Sequence, residues 1–366
     1  MDRRNSQWLG DQCQWLNRFG ETGGAVAAKV QFGTGTTARD FGEYRRWLEA
    51  AEFAGFDLLT AGDSQTLWAD CFSMLTVAAT VTSRPRLALT VTNPQTRHPS
   101  VSAAAAASVQ QISGGRFSYG ISSGDSALRN IGVNPSTVKE LGEYVTAMKG
   151  LTAGETVTWE GNDLSLRWLT DPVRVPVWIA AEGPKTQRLA GQIADGVILS
   201  NSLTSERLSL AKANIAAGAI EVGRDPESIE IWHMCNLIFA PTEEAGIDSI
   251  RSVLAGTANH VFRFTLKGKG LPEHLEGPMA AMMGDYQSRF HAHPGLANPN
   301  EKLVDKYGLR EYLAPLGTIA GPPEHCVERI QEVAKIGATN LIVSQFVADQ
   351  FTWMETFARE IAPNFR

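Results

Sequence analysis

Short β-rich apolar runs alternate with amphipathic helical segments along this chain, and that alternation limits the fold more than any other feature. The runs fall at Val26–Phe32, Asp57–Thr60, Arg86–Val91, Arg116–Ile121, Val175–Ala180, Gly196–Leu199, Ile229–Leu237 and Asn340–Gln345. The sheet they form should be buried on both faces, as parallel sheets between helices are. After the first run, Phe41, Tyr44, Leu48 and Ala51 share one helical stripe, and Gly55 stands at the C-terminal cap. Further helices are expected over Asp70–Thr82, Ser100–Ile112, Val138–Leu151, Lys185–Ile193, Ser205–Val222 and Pro323–Ile336. Eight such units predict an α/β fold, a (β/α)₈ TIM barrel.

Two segments break the rhythm. Thr156–Leu169, with Glu160-Gly-Asn-Asp163 between alternating residues, predicts a β-hairpin before the fifth strand. Residues from about 267 to 316, rich in Gly, Pro and His, form a long insertion before the last βα unit, in the manner of a lid or of an excursion at an oligomer interface. Met279, Met282 and Met283 offer it an adaptable apolar surface, whereas His291 and His293 lack the carboxylate or thiol partners of a metal site, and no metal is expected. Residues 1–24, with Trp8 and Trp15, read as an arm appended to a single domain over 25–366.

At three of the strand ends the chain turns polar: Asn93-Pro-Gln-Thr-Arg97-His98-Pro99, Ser122-Ser123-Gly124-Asp125-Ser126 and Ala180-Ala-Glu-Gly-Pro-Lys185. Parallel strands present their carboxyl ends on one rim, so three such turns point to one shared site and to an enzyme. Glycine and a helix start at Gly183–Lys185 offer free amides and a positive dipole end to a phosphate, with Lys185 or Arg188 adding charge. A rival reading takes Gly33-Thr-Gly35-Thr-Thr-Ala38 as the phosphate turn of a dinucleotide fold; in a barrel the same glycines would leave room for substrate. A formal net charge of −6 and a pI near 5.7, without a long Lys/Arg run, argue against nucleic-acid and anionic-membrane partners and favour a small molecule. Cys13, Cys71, Cys235 and Cys326 form no CxxC pair and are expected as reduced thiols. With no signal-peptide core and no apolar run of ~20 residues, a cytoplasmic protein is expected.

The run Thr90-Val-Thr-Asn-Pro-Gln-Thr-Arg-His-Pro99, the stretch Ile112–Asp125, the turn Ile179–Lys185 continuing to Val197, and Gly321-Pro-Pro-Glu324 with Gly337-Ala338 are similar to the bacterial-luciferase-like superfamily of flavin- and deazaflavin-dependent oxidoreductases. The likeness is strongest to the branch that includes methylenetetrahydromethanopterin reductase. It implies a flavin or deazaflavin ring at the C-terminal mouth and a non-proline cis peptide at Thr90-Val91. By motif, Asp63, Thr90, Val91, Thr92 and Asn93 would face the ring or its polar edge, and Ser122, Ser123 and Gly124 its ribityl chain. Ala180, Ala181, Glu182, Gly183, Pro184 and Lys185 would receive the phosphate. Many relatives carry glycine where Ser122 or Ser123 stands.

For the chemistry itself the candidates are His98, Arg97, Asp63 and His233, since imidazoles move protons near neutral pH and a carboxylate beside a flavin orients substrate or acts as base. The resemblance leads us to expect an FMN-dependent monooxygenase that takes reduced FMN from a separate flavin reductase and works as a homodimer or larger homo-oligomer. The alternatives are a coenzyme F-420-dependent hydride-transfer enzyme and a non-catalytic flavin-binding subunit.

Overall fold

Eight parallel strands close on themselves in the computed structural model, which describes residues 29–290 and 298–366. In chain order the strands are β1 (Gln31–Gly35), β2 (Leu58–Ala61), β3 (Arg86–Leu89), β4 (Phe117–Ile121), β5 (Val157–Trp159), β6 (Asn162–Leu164), β7 (Val177–Ala180), β8 (Gly196–Ser200), β9 (Glu230–Phe239), β10 (Thr318–Gly321) and β11 (Asn340–Ser344). β5 and β6 make the predicted hairpin around a two-residue turn, Glu160-Gly161, both at positive φ. The barrel runs β1-β2-β3-β4-β7-β8-β9-β11 and closes where β11 pairs with β1.

Helices return the chain along the outside: α1 (Phe41–Ala54), α2 (Cys71–Val81), α3 (Pro99–Ile112), the short α4 (Ser126–Arg129), α5 (Val138–Thr152), α6 (Pro184–Ile193) and α7 (Ser205–Glu221). After β9 come α8 (Glu243–Ser249), α9 (Arg251–Phe262), α10 (Glu273–Asp285), α11 (Leu303–Lys306) and α12 (Arg310–Gly317), then α13 (Pro323–Lys335) and α14 (Gln350–Thr356). Caps set the starts: Asp40 accepts from Glu43 N and Asp70 from Ser73 N, while Thr137 and Glu140 form a capping box. α1 ends at Gly55, as the stripe predicts.

Alternation along each strand separates two cores. Outward residues such as Phe32, Leu59, Tyr119, Ile179 and Leu199 pack under the helices. Inward residues Leu58, Ala88, Trp178, Ile198, Trp232 and Ile342 fill the barrel. A third apolar cluster joins α9 to the insertion and contains Met279 and Met282, so these methionines are fully buried core rather than an open lid.

The first strand lies later than its apolar run predicts, at Gln31–Gly35. Gly33 and Gly35 are therefore strand residues paired with β2, and no phosphate turn of a dinucleotide fold exists there. The inward face of Gly35 is already taken by Thr60, whose hydroxyl a Cβ would overlap, so the glycine serves strand packing rather than substrate. β10 is absent from the sequence expectation; four residues beside the flared end of β9 carry too little pattern to be read. Residues 1–28, with the proposed arm and Cys13, and 291–297, with His291 and His293, lie outside the described residues. The other three cysteines are buried free thiols. Among the described residues no helix is long and apolar enough to cross a membrane.

Where β3 meets β4, Gly120 lies against the main chain of Leu89. A Cβ there would overlap the Leu89 carbonyl oxygen and stand 3.2 Å from Val91 Cγ1. Gly120→Ala should therefore lower stability by about 1–3 kcal/mol through overpacking, read as a lower urea midpoint at unchanged slope. An unchanged midpoint would contradict this packing.

Candidate active site

The barrel mouth has an apolar floor. Val91, Ala180 and Met234 rest half-exposed on the buried interior cluster, where the indoles of Trp178 and Trp232 stack at 5.9 Å. The Thr90-Val91 peptide is cis, as the resemblance implies. Beyond it pairing resumes: Thr92 N donates to Gly120 O (3.0 Å) and Ser122 N to Thr92 O (2.9 Å). The turns that follow β3, β4 and β7 thus share one rim around this floor.

Asp63, at the end of β2, is buried. Its carboxylate accepts from Thr92 Oγ1 at 2.5 Å, from Arg97 Nη1, and from Arg97 Nη2 at 3.3 Å. The same Nη2 reaches Asp70 at 3.2 Å, and the guanidinium lies 5.3 Å from the Phe72 ring centre. Side-chain exposure is 2% for Asp63 and 18% for Arg97, so this is a largely desolvated, doubly hydrogen-bonded pair. It ties the polar turn after β3 to β2 and to the start of α2. Arg97 is thereby committed to bracing the rim, and its main-chain carbonyl accepts from Tyr144 OH (3.0 Å).

The remaining predicted residues divide by position. Asn93 is buried, and its side-chain oxygen accepts from the amides of Gln95 and Thr96 at 3.0 Å each, which shapes the turn. Ser122 and Ser123 are half-buried on the rim, Ser122 Oγ accepting from Gly124 N at 3.3 Å. Ala180 belongs to the floor, whereas Ala181 is buried in the outer core under the helices. Glu182 turns toward β8, where Ser200 N donates to its carboxylate at 2.7 Å, leaving the α6 start at Gly183 and Pro184 clear of that charge.

Three of the histidine and lysine candidates, His98, Lys185 and His233, lie off the mouth. His98 caps α3, its Nδ1 2.7 Å from Ser100 Oγ, and faces an outer groove of about 1350 Å³ together with Tyr144, Trp159, Lys185 and Arg188. Lys185 is exposed there, on the outer wall. His233 points outward from β9, fully buried, with Nδ1 2.7 Å from Ser202 Oγ. Burial, reinforced by the charge of Lys212, pushes its pKa down to about 3, so it is neutral at working pH.

Sequence reading missed a cluster that α9 and the residues just before the insertion bring to the rim. His260 Nδ1, Arg263 Nη1 and Arg129 Nη2 all converge on Asp125, and Arg263 Nη2 donates to Gly124 O at 3.3 Å. Lys269, from the insertion, lies buried beside Gly183, its Nζ donating to Val261 O. Asp125 was visible in its turn, but partners 135 residues away give no local signal.

A family model described as luciferase-like monooxygenase matches residues 22–340 of this chain. The chain belongs to the luciferase-like monooxygenase family. Within it, the chain is 29% identical to the 5,10-methylenetetrahydromethanopterin reductase of Methanolobus tindarius, covering 81% of this chain and 88% of that one. It is 27% identical to the F-420-dependent glucose-6-phosphate dehydrogenase of Beutenbergia cavernae, covering 86% and 91%. Among solved structures, the coenzyme F-420-dependent tetrahydromethanopterin reductase of Methanopyrus kandleri superposes with a TM-score of 0.68 at 22% identity, over 93% of this chain and 100% of that one. The monooxygenase RslO1 of Streptomyces bottropensis superposes at 0.62 and 18% identity, over 92% and 100%. The luciferase-like fold is thus shared with both kinds of enzyme.

In this luciferase-like barrel His233 makes a pH prediction. The unfolded imidazole gains a proton below about 6.5 and the folded one only near 3, so its contribution is full above pH 6.5 and declines as pH falls between those values. The slope is about 1.4 kcal/mol per pH unit. His233→Gln should flatten that part of a stability-against-pH curve from denaturant melts; identical curves would contradict the burial.

Proposed function

We propose that this protein is a coenzyme F-420-dependent oxidoreductase that transfers hydride between the deazaflavin and a small organic substrate. The observation that carries this reading is the naming of relatives that align over more than four-fifths of both chains: reductases of methylenetetrahydromethanopterin and F-420-dependent dehydrogenases. The expectation of an FMN monooxygenase is replaced accordingly, since its support is likeness of fold at 18% identity. On this reading oxygen and a separate flavin reductase play no part; a homo-oligomer remains part of the proposal.

The mouth fits a planar cofactor. An apolar floor of Val91, Ala180 and Met234 suits a ring face and keeps water from beneath it. The rim offers Thr90 and Thr92 on one side and Ser122, Ser123 and Gly124 on another, while the amide of Gly183 and those that follow Pro184 in the first turn of α6 suit the phosphate. Asp63 and Arg97 act by holding Thr92 in place. Bound there, the deazaflavin would supply a two-electron hydride donor or acceptor. The chain's own task is to hold substrate face to face with it at close approach.

Titration of the purified protein with coenzyme F-420 and with FMN, read by cofactor and tryptophan fluorescence, tests the reading. F-420 should bind at least tenfold more tightly than FMN, about 1.4 kcal/mol, with no oxygen uptake when reduced FMN is supplied. Tighter FMN binding with oxygen uptake would overturn it.

A further inference from the structure

Asp125 stands at the end of the mouth turn Ser122–Asp125, and two guanidiniums and an imidazole reach it. Arg129 comes from α4, His260 from α9, and Arg263 from just beyond α9. Tyr286, which follows α10, lies in the field of Arg129 and Asp125, and burial pushes its phenol up to about 12, so it stays neutral. Arg129 also donates to Ser288 Oγ at 3.3 Å, which ties the segment after α10 to the same corner.

Two guanidiniums already exceed the charge of one carboxylate. A third partner chosen for charge would add repulsion, whereas an imidazole gives Asp125 a hydrogen bond and keeps its other ring nitrogen for a further partner. Burial alone would raise the Asp125 carboxyl, but the hydrogen bond and charge of His260, with Arg263 and Arg129, hold it well below the usual carboxylate range. Asp125 therefore carries no proton to give and works as a fixed acceptor. It holds Nδ1–H of His260 and leaves Nε2 as the working edge, the way a carboxylate orients an imidazole in acid–base dyads.

Exposure agrees with that division. The His260 side chain is 38% exposed, against 18% for Asp125, 29% for Arg129 and 13% for Arg263. Nε2 has no hydrogen-bond partner among the described residues and is not among their buried unpartnered atoms. Of the described histidines, His233 is sealed behind the barrel wall, His98 caps a helix outside it, His274 is exposed on α10 and His325 pairs with Glu243 at 3.6 Å; His260 is bonded to the rim itself.

We propose that His260, oriented by Asp125, is the acid–base residue of this site, and that the substrate is a small molecule whose hydride-bearing carbon carries a hydroxyl or an amine nitrogen. This rests on the deazaflavin reading above. In the oxidative direction, His260 Nε2 takes the O–H or N–H proton while the C–H electron pair leaves as hydride to the oxidised deazaflavin. A C=O or C=N bond forms, the substrate loses two electrons and the deazaflavin gains them. The imidazolium is stabilised by Asp125 and releases its proton to water. In the reductive direction the same nitrogen donates the proton.

Diethyl pyrocarbonate labelling of the full-length protein, mapped by peptide mass spectrometry, tests the placement with and without saturating coenzyme F-420, while fluorescence reports binding in the same samples. His260 should be labelled in the free protein and protected at least fivefold by bound coenzyme; labelling that ignores bound coenzyme overturns the proposal. Failure of F-420 to bind instead overturns the functional reading and this role with it. With 2-propanol as hydride donor, His260→Asn, which keeps a donor to Asp125, should lower F-420 reduction about 100-fold and remove the acid limb of the pH profile, with F-420 affinity within twofold. Equal rates and profiles in both proteins would overturn it.

Discussion

The stacked indoles of Trp178 and Trp232 at the centre of the barrel are the constraint on which the rest depends. They fill the interior together with Leu58, Ile198 and Ile342, and Arg86 closes the far end by lying 5.0 Å over Trp178 while it grips Glu230 with two hydrogen bonds of 2.7 and 3.0 Å. A barrel plugged in this way is a packed core rather than a channel. Its C-terminal mouth then becomes a shallow cup whose floor is the next layer of inward residues, Val91, Ala180 and Met234. Apolar below and polar around the rim, such a cup accepts a flat ring and sets its depth.

Charge then fixes the rim, through two carboxylates used in opposite ways. Asp63 is sealed with Arg97 and Thr92, and removing one member would strand a buried charge at a cost of about 3–5 kcal/mol, so it serves architecture. Asp125 is surrounded by more positive charge than it needs and retains an imidazole with an open edge. The first arrangement makes the turn after β3 rigid; the second brings α9, which packs on the insertion, against the turn after β4. A site between them has one wall from the barrel and another from α9.

Much of this was legible in the sequence because it is written locally. Apolar runs of strand length, the cap at Gly55 and the hairpin around Glu160–Asp163 each follow from neighbours in the chain. The polar turns announced the mouth for the same reason, since residues after a strand end fall on one rim whatever the details. Side-chain direction was not legible. His233 and Met234 are adjacent, yet one faces the helices and the other the floor, and a one-residue change of phase exchanges them. Contacts across the fold were equally silent: Arg97 looked free beside His98 until Asp63, 34 residues away, claimed it, and His260 gave no sign of Asp125.

The most direct test of the account is a crystal structure with coenzyme F-420 bound. The deazaflavin ring should lie over Val91, with its chain along Ser122–Gly124, its phosphate at the Gly183 turn, and His260 Nε2 facing the space above the ring. A coenzyme seated instead in the outer groove beside Tyr144 and Lys185, with the floor of Val91, Ala180 and Met234 uncovered, would contradict it.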